Sequence, residues 1–216
     1  MPTSTQVIHS HGELSVRARI GLLAQDIKLS HSIFALPFAL LATFLAAASV
    51  DRLPQPLALC LIVLCMVLAR TVAMTVNRWA DRYVDAHNPR TAGRAIPSGK
   101  LSPIFVLATA GICAAAFVIA SAGFWLISDN VWPLLLSPAV LAWLMVYSFT
   151  KRFTALCHLF LGSALALSPL AAAIAIEPSL LGRAEPYLLA MMVTCWVGGF
   201  DIIYALLDVD IDRQAG

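Results

Sequence analysis

Three side chains that end in oxygen ligands, Asn77, Asp81 and Asp85, stand four residues apart in the stretch Asn77-Arg78-Trp79-Ala80-Asp81-Arg82-Tyr83-Val84-Asp85. On a helix they form one polar stripe, drifting roughly 40° per step and covering about 12 Å of axis. Near the other end of the chain, Asp208 and Asp212 repeat the four-residue interval. With Arg94, Lys100 and Lys151 also present, the chain holds the parts for gripping a diphosphate through divalent metal. Solvated helix ends with ordinary charge pairs would explain one such pair. They explain two matched pairs with flanking cations much less well.

These residues need a scaffold, and composition says what kind. Of 216 residues, 60% are hydrophobic and 12% charged, with a mean hydropathy of +0.85. A soluble domain carries about twice that charged fraction, so the sequence reads as an integral membrane protein. Net charge is only +2, which leaves no broad basic face for nucleic acid. The five cysteines fall in or beside apolar runs with no metal-type CxxC, so neither a disulfide framework nor a zinc site is expected.

Apolar runs long enough to cross about 30 Å of hydrocarbon lie near 31–50, 56–76, 103–127, 131–149, 155–176 and 187–207. The expected fold is an all-α, polytopic bundle of six transmembrane helices around a central cavity. Residues 1–24 read as a polar, disordered tail, and 25–216 as one membrane domain. Pro37 and Pro169 lie inside runs and are expected to kink them. Eleven of the fourteen Lys and Arg residues (Arg17, Arg19, Lys28, Arg78, Arg82, Arg90, Arg94, Lys100, Lys151, Arg152 and Arg213) fall on one side of this topology. The positive-inside bias makes that side cytoplasmic, together with the N-terminus and both acidic motifs.

Several further residues join the candidate site. Arg70 lies two turns before Asn77, and a cation in hydrocarbon must face the bundle interior and meet a partner. Lys28 and His31 open the first run toward the same cavity, although His31 and His158 read more readily as packing or interfacial histidines. Arg90, Arg94 and Lys100 are spaced along a Pro- and Gly-punctuated loop suited to closing over phosphate. Tyr147 and Lys151 stand one turn apart, a pairing suited to an anion. Asp201, Tyr204, Asp208 and Asp212 share one face of the last helix, whereas Asp210 points away from it. A cation or proton carrier also places aspartates in helices, but here the pairs lie at helix ends beside a cationic loop.

At these residues the sequence resembles the UbiA superfamily of intramembrane prenyltransferases. Its first signature, Asn-x-x-x-Asp-x-x-x-Asp, is matched by Asn77, Asp81 and Asp85, followed by a family-like Pro89-Arg90-Thr91-x-x-Arg94-x-Ile96-Pro97-x-Gly99-Lys100. The second, Asp-x-x-x-Asp, is matched by Asp208 and Asp212, preceded by Gly199-Phe200-Asp201-Ile202-Ile203-Tyr204. The stretches 28–40 and 147–161 resemble the 4-hydroxybenzoate polyprenyltransferase branch, including its relatives in the futalosine route to menaquinone.

The resemblance implies a polyprenyl diphosphate donor and an aromatic acceptor such as 4-hydroxybenzoate, in ubiquinone or menaquinone biosynthesis. It implies Mg²⁺ held by Asn77, Asp81, Asp85, Asp208 and Asp212, whose hard oxygens suit that ion. Arg94 and Lys151, then Arg90 and Lys100, would contact phosphate. Asp201 is a candidate for steering the cation or taking a proton. Arg70 or Lys28 is a candidate for meeting the acceptor, with Tyr147 and Tyr204 lining the same site. The family usually has nine helices, so a six-helix chain is expected to lack the last three, which leaves a non-catalytic remnant as an alternative. The expected setting is a bacterial inner membrane.

Overall fold

The computed structural model describes residues 15–28 and 35–206. They form seven α-helices: α1 (Val16–Asp26), α2 (Leu36–Ala48), α3 (Pro56–His87), α4 (Pro103–Ser128), α5 (Trp132–Thr150), α6 (Cys157–Ile176) and α7 (Glu185–Leu206). A short 3-10 helix, Pro178–Gly182, joins α6 to α7. Helices α3 to α7 are long and apolar enough to span a bilayer. The shorter apolar α2 takes the place of the first expected crossing. The protein is an all-helical, polytopic integral membrane protein.

Prolines mark where helices begin. Pro37, Pro56, Pro103 and Pro133 each sit in the first two positions of a helix, where the missing N–H has no partner to lose. Pro37 therefore starts α2, where the sequence suggested a kink within a longer helix. Pro169 does fall inside α6, and Pro138, which the sequence reading passed over, falls inside α5.

Helix α3 is the spine of the site. Its 32 residues rise about 48 Å, well beyond the hydrocarbon thickness, so the polar stripe of its last turns continues an apolar span without a break. Helix α4 packs along it, burying Val72 and Val76 against Ala110, Phe117 and Leu141 of α5. Helix α6 is built from small residues on its packed faces. At Gly162 a Cβ would lie 2.3 Å from the Thr194 carbonyl oxygen, so only glycine lets α7 approach this closely.

The expected disordered tail is corrected over residues 16–24, which lie in α1. Ser15 caps this helix by accepting from the Ala18 N–H. Ile20, Leu23 and Ile27 form an apolar stripe at helical spacing. Leu23 and Ile27 are buried against Ala95, Leu101 and Val106, with Trp79 and Ile96 packed beside them. Helix α1 thus clamps the end of α3 to the loop that follows it.

Candidate functional site

The stripe on α3 points inward. Asp81 is 4% exposed and Asp85 is 6% exposed, so neither is a solvated helix-end acid. Lys151, at the end of α5, donates through Nζ to Asp81 Oδ2. Arg94 donates through Nη1 to both oxygens of Asp85, each at 2.7 Å. The loop carrying Arg94 is pinned at several points. Thr91 Oγ1 donates to the Asp85 carbonyl at 3.1 Å, and the Ala95 N–H donates to Asp26 Oδ1 at 3.0 Å. Gly99, at φ +74°, makes the left-handed turn that ends the loop.

One atom stands out in this cluster. The second carboxylate oxygen of Asp81, Oδ1, is buried without a hydrogen-bond partner, which a buried acceptor tolerates poorly. Asn77 lies one turn away on the same stripe. These donors fit one side of a divalent-metal site, since oxygen ligands from one helix face leave the rest of the shell to phosphate and water. The other expected ligands, Asp208 and Asp212, lie outside the described residues, as do Asp210, Arg213 and His31. Among the described residues, no group of three or more His, Cys, Asp or Glu side chains is placed to hold a metal.

Below the cluster lies a cavity of about 520 Å³ enclosed mainly by α3, α4, α5 and α6. Its walls are overwhelmingly apolar, with Met66, Ala73, Phe117, Leu144 and Leu165 among them. Arg70 and Tyr147 bring polar groups into it. Tyr147 is one turn from Lys151 and close enough to interact electrostatically with Arg70, Arg78 and Asp81. Along α3 the cavity lining reaches Met74, about two turns before Asp81.

Other sequence candidates are placed elsewhere. Lys28 is exposed at φ +48°, just past α1. Arg90 and Lys100 are exposed on the loop. Tyr204 is exposed and stacks on Phe200 at 5.0 Å. Asp201 faces α6, where its Oδ2 meets His158 Nδ1 at 2.7 Å. The reading of His158 as a packing histidine holds in that it links two helices, but its partner is the acid singled out on α7.

Asp26 and Arg78 were not singled out by spacing, yet they frame the cluster. Arg78 is buried and donates to the Asp26 carbonyl oxygen at 3.3 and 3.4 Å. It also lies 3.5 Å from Asp26 Oδ2. Arg152 donates to the Ala80 carbonyl at 2.6 Å. The apolar stripe of 20–27 was the signal for α1, and hence for a fixed Asp26.

Residues 35–216 match the model of the UbiA prenyltransferase family. The chain belongs to that family. It is 32% identical over 170 residues to a protein of Nitrosomonas eutropha named 4-hydroxybenzoate octaprenyltransferase, covering 77% of this chain and 56% of that one. A protein of the same name from Photobacterium profundum is 35% identical over 178 residues, covering 81% and 58%. Among solved structures, the apo structure of a UbiA homologue from Aeropyrum pernix K1 is similar, with a TM-score of 0.76 at 32% identity. That likeness covers 87% of this chain and 67% of the other. The chain spans little more than half the length of these curated relatives. Within the UbiA match, the described part of the family region holds the first acidic motif, its two cations and the cavity.

Proposed function

We propose that this chain transfers a polyprenyl group from its diphosphate to an aromatic acceptor such as 4-hydroxybenzoate, in quinone biosynthesis. The observation that carries this reading is the Asp81–Lys151 and Asp85–Arg94 cluster, set beyond an apolar cavity whose lining on α3 ends about two turns before Asp81. That arrangement suits a ligand with an anionic head and a long hydrocarbon tail. Its support from relatives is the name 4-hydroxybenzoate octaprenyltransferase borne by proteins 32–35% identical to it.

In this reading Asn77, Asp81 and Asp85 hold divalent metal, Mg²⁺ by the hardness of the donors, and Asp208 and Asp212 complete the site. The bound ion supplies charge stabilisation to the departing diphosphate. Arg94 and Lys151 turn from their carboxylates toward the phosphates, sharing that charge. Arg90 and Lys100, exposed on the loop after α3, are second candidates for phosphate contact. The C–O bond breaks with its electron pair leaving on the diphosphate. The allylic cation is then attacked by a ring carbon ortho to the hydroxyl, and the ring loses that carbon's proton. Asp201, held by His158, is the candidate acceptor for it. The apolar walls keep water from the cation. The positive-inside bias puts the cluster on the cytoplasmic side of a bacterial inner membrane.

Membranes containing the chain, supplied with radiolabelled geranyl diphosphate, 4-hydroxybenzoate and Mg²⁺, test this directly. Prenylated acid should form, stop with EDTA and be absent with Asp81→Ala. Transfer undiminished in EDTA would remove the metal mechanism.

A further inference from the structure

Helix α1 uses only half of its apolar face on the protein. Leu23 and Ile27 are buried in a cluster with Ala95, Leu101 and Val106. One and two turns earlier, Ile20 is 53% exposed and Val16 is 65% exposed. All four fall on one line at helical spacing, so the face that packs inward at one end is bare at the other. The bare half is flanked by charge. Counting around the helix, Arg17 lies roughly 90° to one side of the line and Arg19 roughly 70° to the other. Among the described residues, neither arginine has an ion-pair partner. Gln25, nearly opposite the line, is exposed.

The level at which α1 sits identifies the surface it meets. The cluster that takes its buried half also holds Phe105, in the first turn of α4, with Met74 and Trp79, where α3 turns from apolar to polar. Beside Phe105, Ile104 is 80% exposed, an apolar side chain turned to lipid. Both spans leave the hydrocarbon there, which is the depth of the headgroups. We infer that the first half of α1 lies in the membrane surface, with Val16 and Ile20 in the acyl boundary and Arg17 and Arg19 on anionic phospholipid headgroups. Apolar residues flanked by cations suit that boundary, because arginine stems lie along it while the guanidinium groups reach the phosphates. Zwitterionic headgroups carry their own cation, so lipids with net negative charge are favoured by about fivefold per arginine. The docking carries inward through Asp26, at the other end of α1. Its Oδ1 accepts from the Ala95 N–H and its carbonyl accepts from Arg78. The loop bearing Arg94 is thereby tied to a helix seated on lipid.

The test uses the full chain in vesicles, with nitroxide labels on Ile20→Cys and Gln25→Cys in an otherwise cysteine-free background. Collision with oxygen, which concentrates in hydrocarbon, is compared with collision with a water-soluble nickel chelate. In mixed phosphatidylcholine–phosphatidylglycerol vesicles, the label at 20 should be open to oxygen and closed to nickel, and the label at 25 the reverse. Arg17→Gln with Arg19→Gln should lower the docked-to-free ratio at position 20 by about 25-fold. Pure phosphatidylcholine should lower it comparably with both arginines in place. In detergent the double variant should melt with its parent, since neither arginine is paired within the described protein. A clear fall in melting temperature would make the arginines structural and overturn their assignment to lipid. Equal nickel contact at 20 and 25 in the mixed vesicles would leave α1 in water and overturn the inference. Closure of position 20 to both probes would put protein against the stripe, a second copy or another chain, and would overturn it too. Docking that is equal in both vesicle types and untouched by the arginine variants would make the anchor purely apolar, and would overturn the anionic partner.

Discussion

Two arginines of helix α3, the buried Arg78 and the half-buried Arg70, are treated in opposite ways. Near its C-terminal end, Arg78 is tied to Asp26, while Lys151 and Arg94 occupy Asp81 and Asp85. Every acid there already has its cation. Two turns deeper, Arg70 meets an apolar cavity and, among the described residues, no acid. The difference separates two kinds of binding. At the cluster a ligand must trade partners with existing ion pairs, so on the proposed reading metal and diphosphate would arrive together to leave no charge uncompensated. In the cavity Arg70 holds no ion pair among the described residues, so a ligand there displaces none.

The comparison breaks most visibly at Asp81. Asp81→Ala should lower turnover by at least about 10³-fold, since it deletes the oxygen best placed for metal. Stability should change little, because Lys151 is 46% exposed and water solvates it when released. A loss of folded protein in step with activity, measured by size-exclusion yield, would contradict this.

Arg94→Ala should act the other way, through stability. It removes the direct ion-pair partner of the buried Asp85 and leaves only Arg78 near enough to offset it, which costs about 2–4 kcal/mol, short of the value for full burial because Arg94 is itself partly exposed. Thermal unfolding of the ligand-free protein reads this, and an unchanged melting temperature would mean that the pair contributes nothing at rest.

Gly162→Ala sharpens the comparison by testing the scaffold alone. Its Cβ would meet the Thr194 carbonyl at 2.3 Å, forcing α6 and α7 apart at about 1–3 kcal/mol. Gly162 does not line the cavity, although its neighbours Leu161 and Ala164 do, so affinity for 4-hydroxybenzoate in the folded fraction should fall less than stability.

The smallest effect is expected at Ser98 and Gln55, both exposed. Single cysteines there, in a cysteine-free background, should leave activity intact and label from opposite sides of the membrane with an impermeant maleimide. Labelling from the same side would contradict the orientation drawn from the cation distribution.

The spans were legible because each is a long apolar run bounded by proline, and the α3 stripe because four-residue spacing survives any packing. The expected inward face of Arg70 was also legible, from the cost of exposing it to lipid. What escaped depends on contacts between distant positions. Asp26 and Arg78 are 52 residues apart, and His158 and Asp201 are 43 apart. No local pattern marks either pair. Helix α1 escaped because its polar composition outweighs a three-residue apolar stripe. Pro37 was misplaced because a hydropathy run does not show where helical hydrogen bonding begins.

The central claim is that the α3 stripe grips diphosphate through metal. Manganese titration of the solubilised chain, followed by the electron paramagnetic resonance of the free ion, tests it without turnover. Inorganic diphosphate should raise manganese affinity sharply in the wild type, and Asp81→Asn should abolish that gain. Equal manganese binding by wild type and Asp81→Asn in the presence of diphosphate would contradict the account.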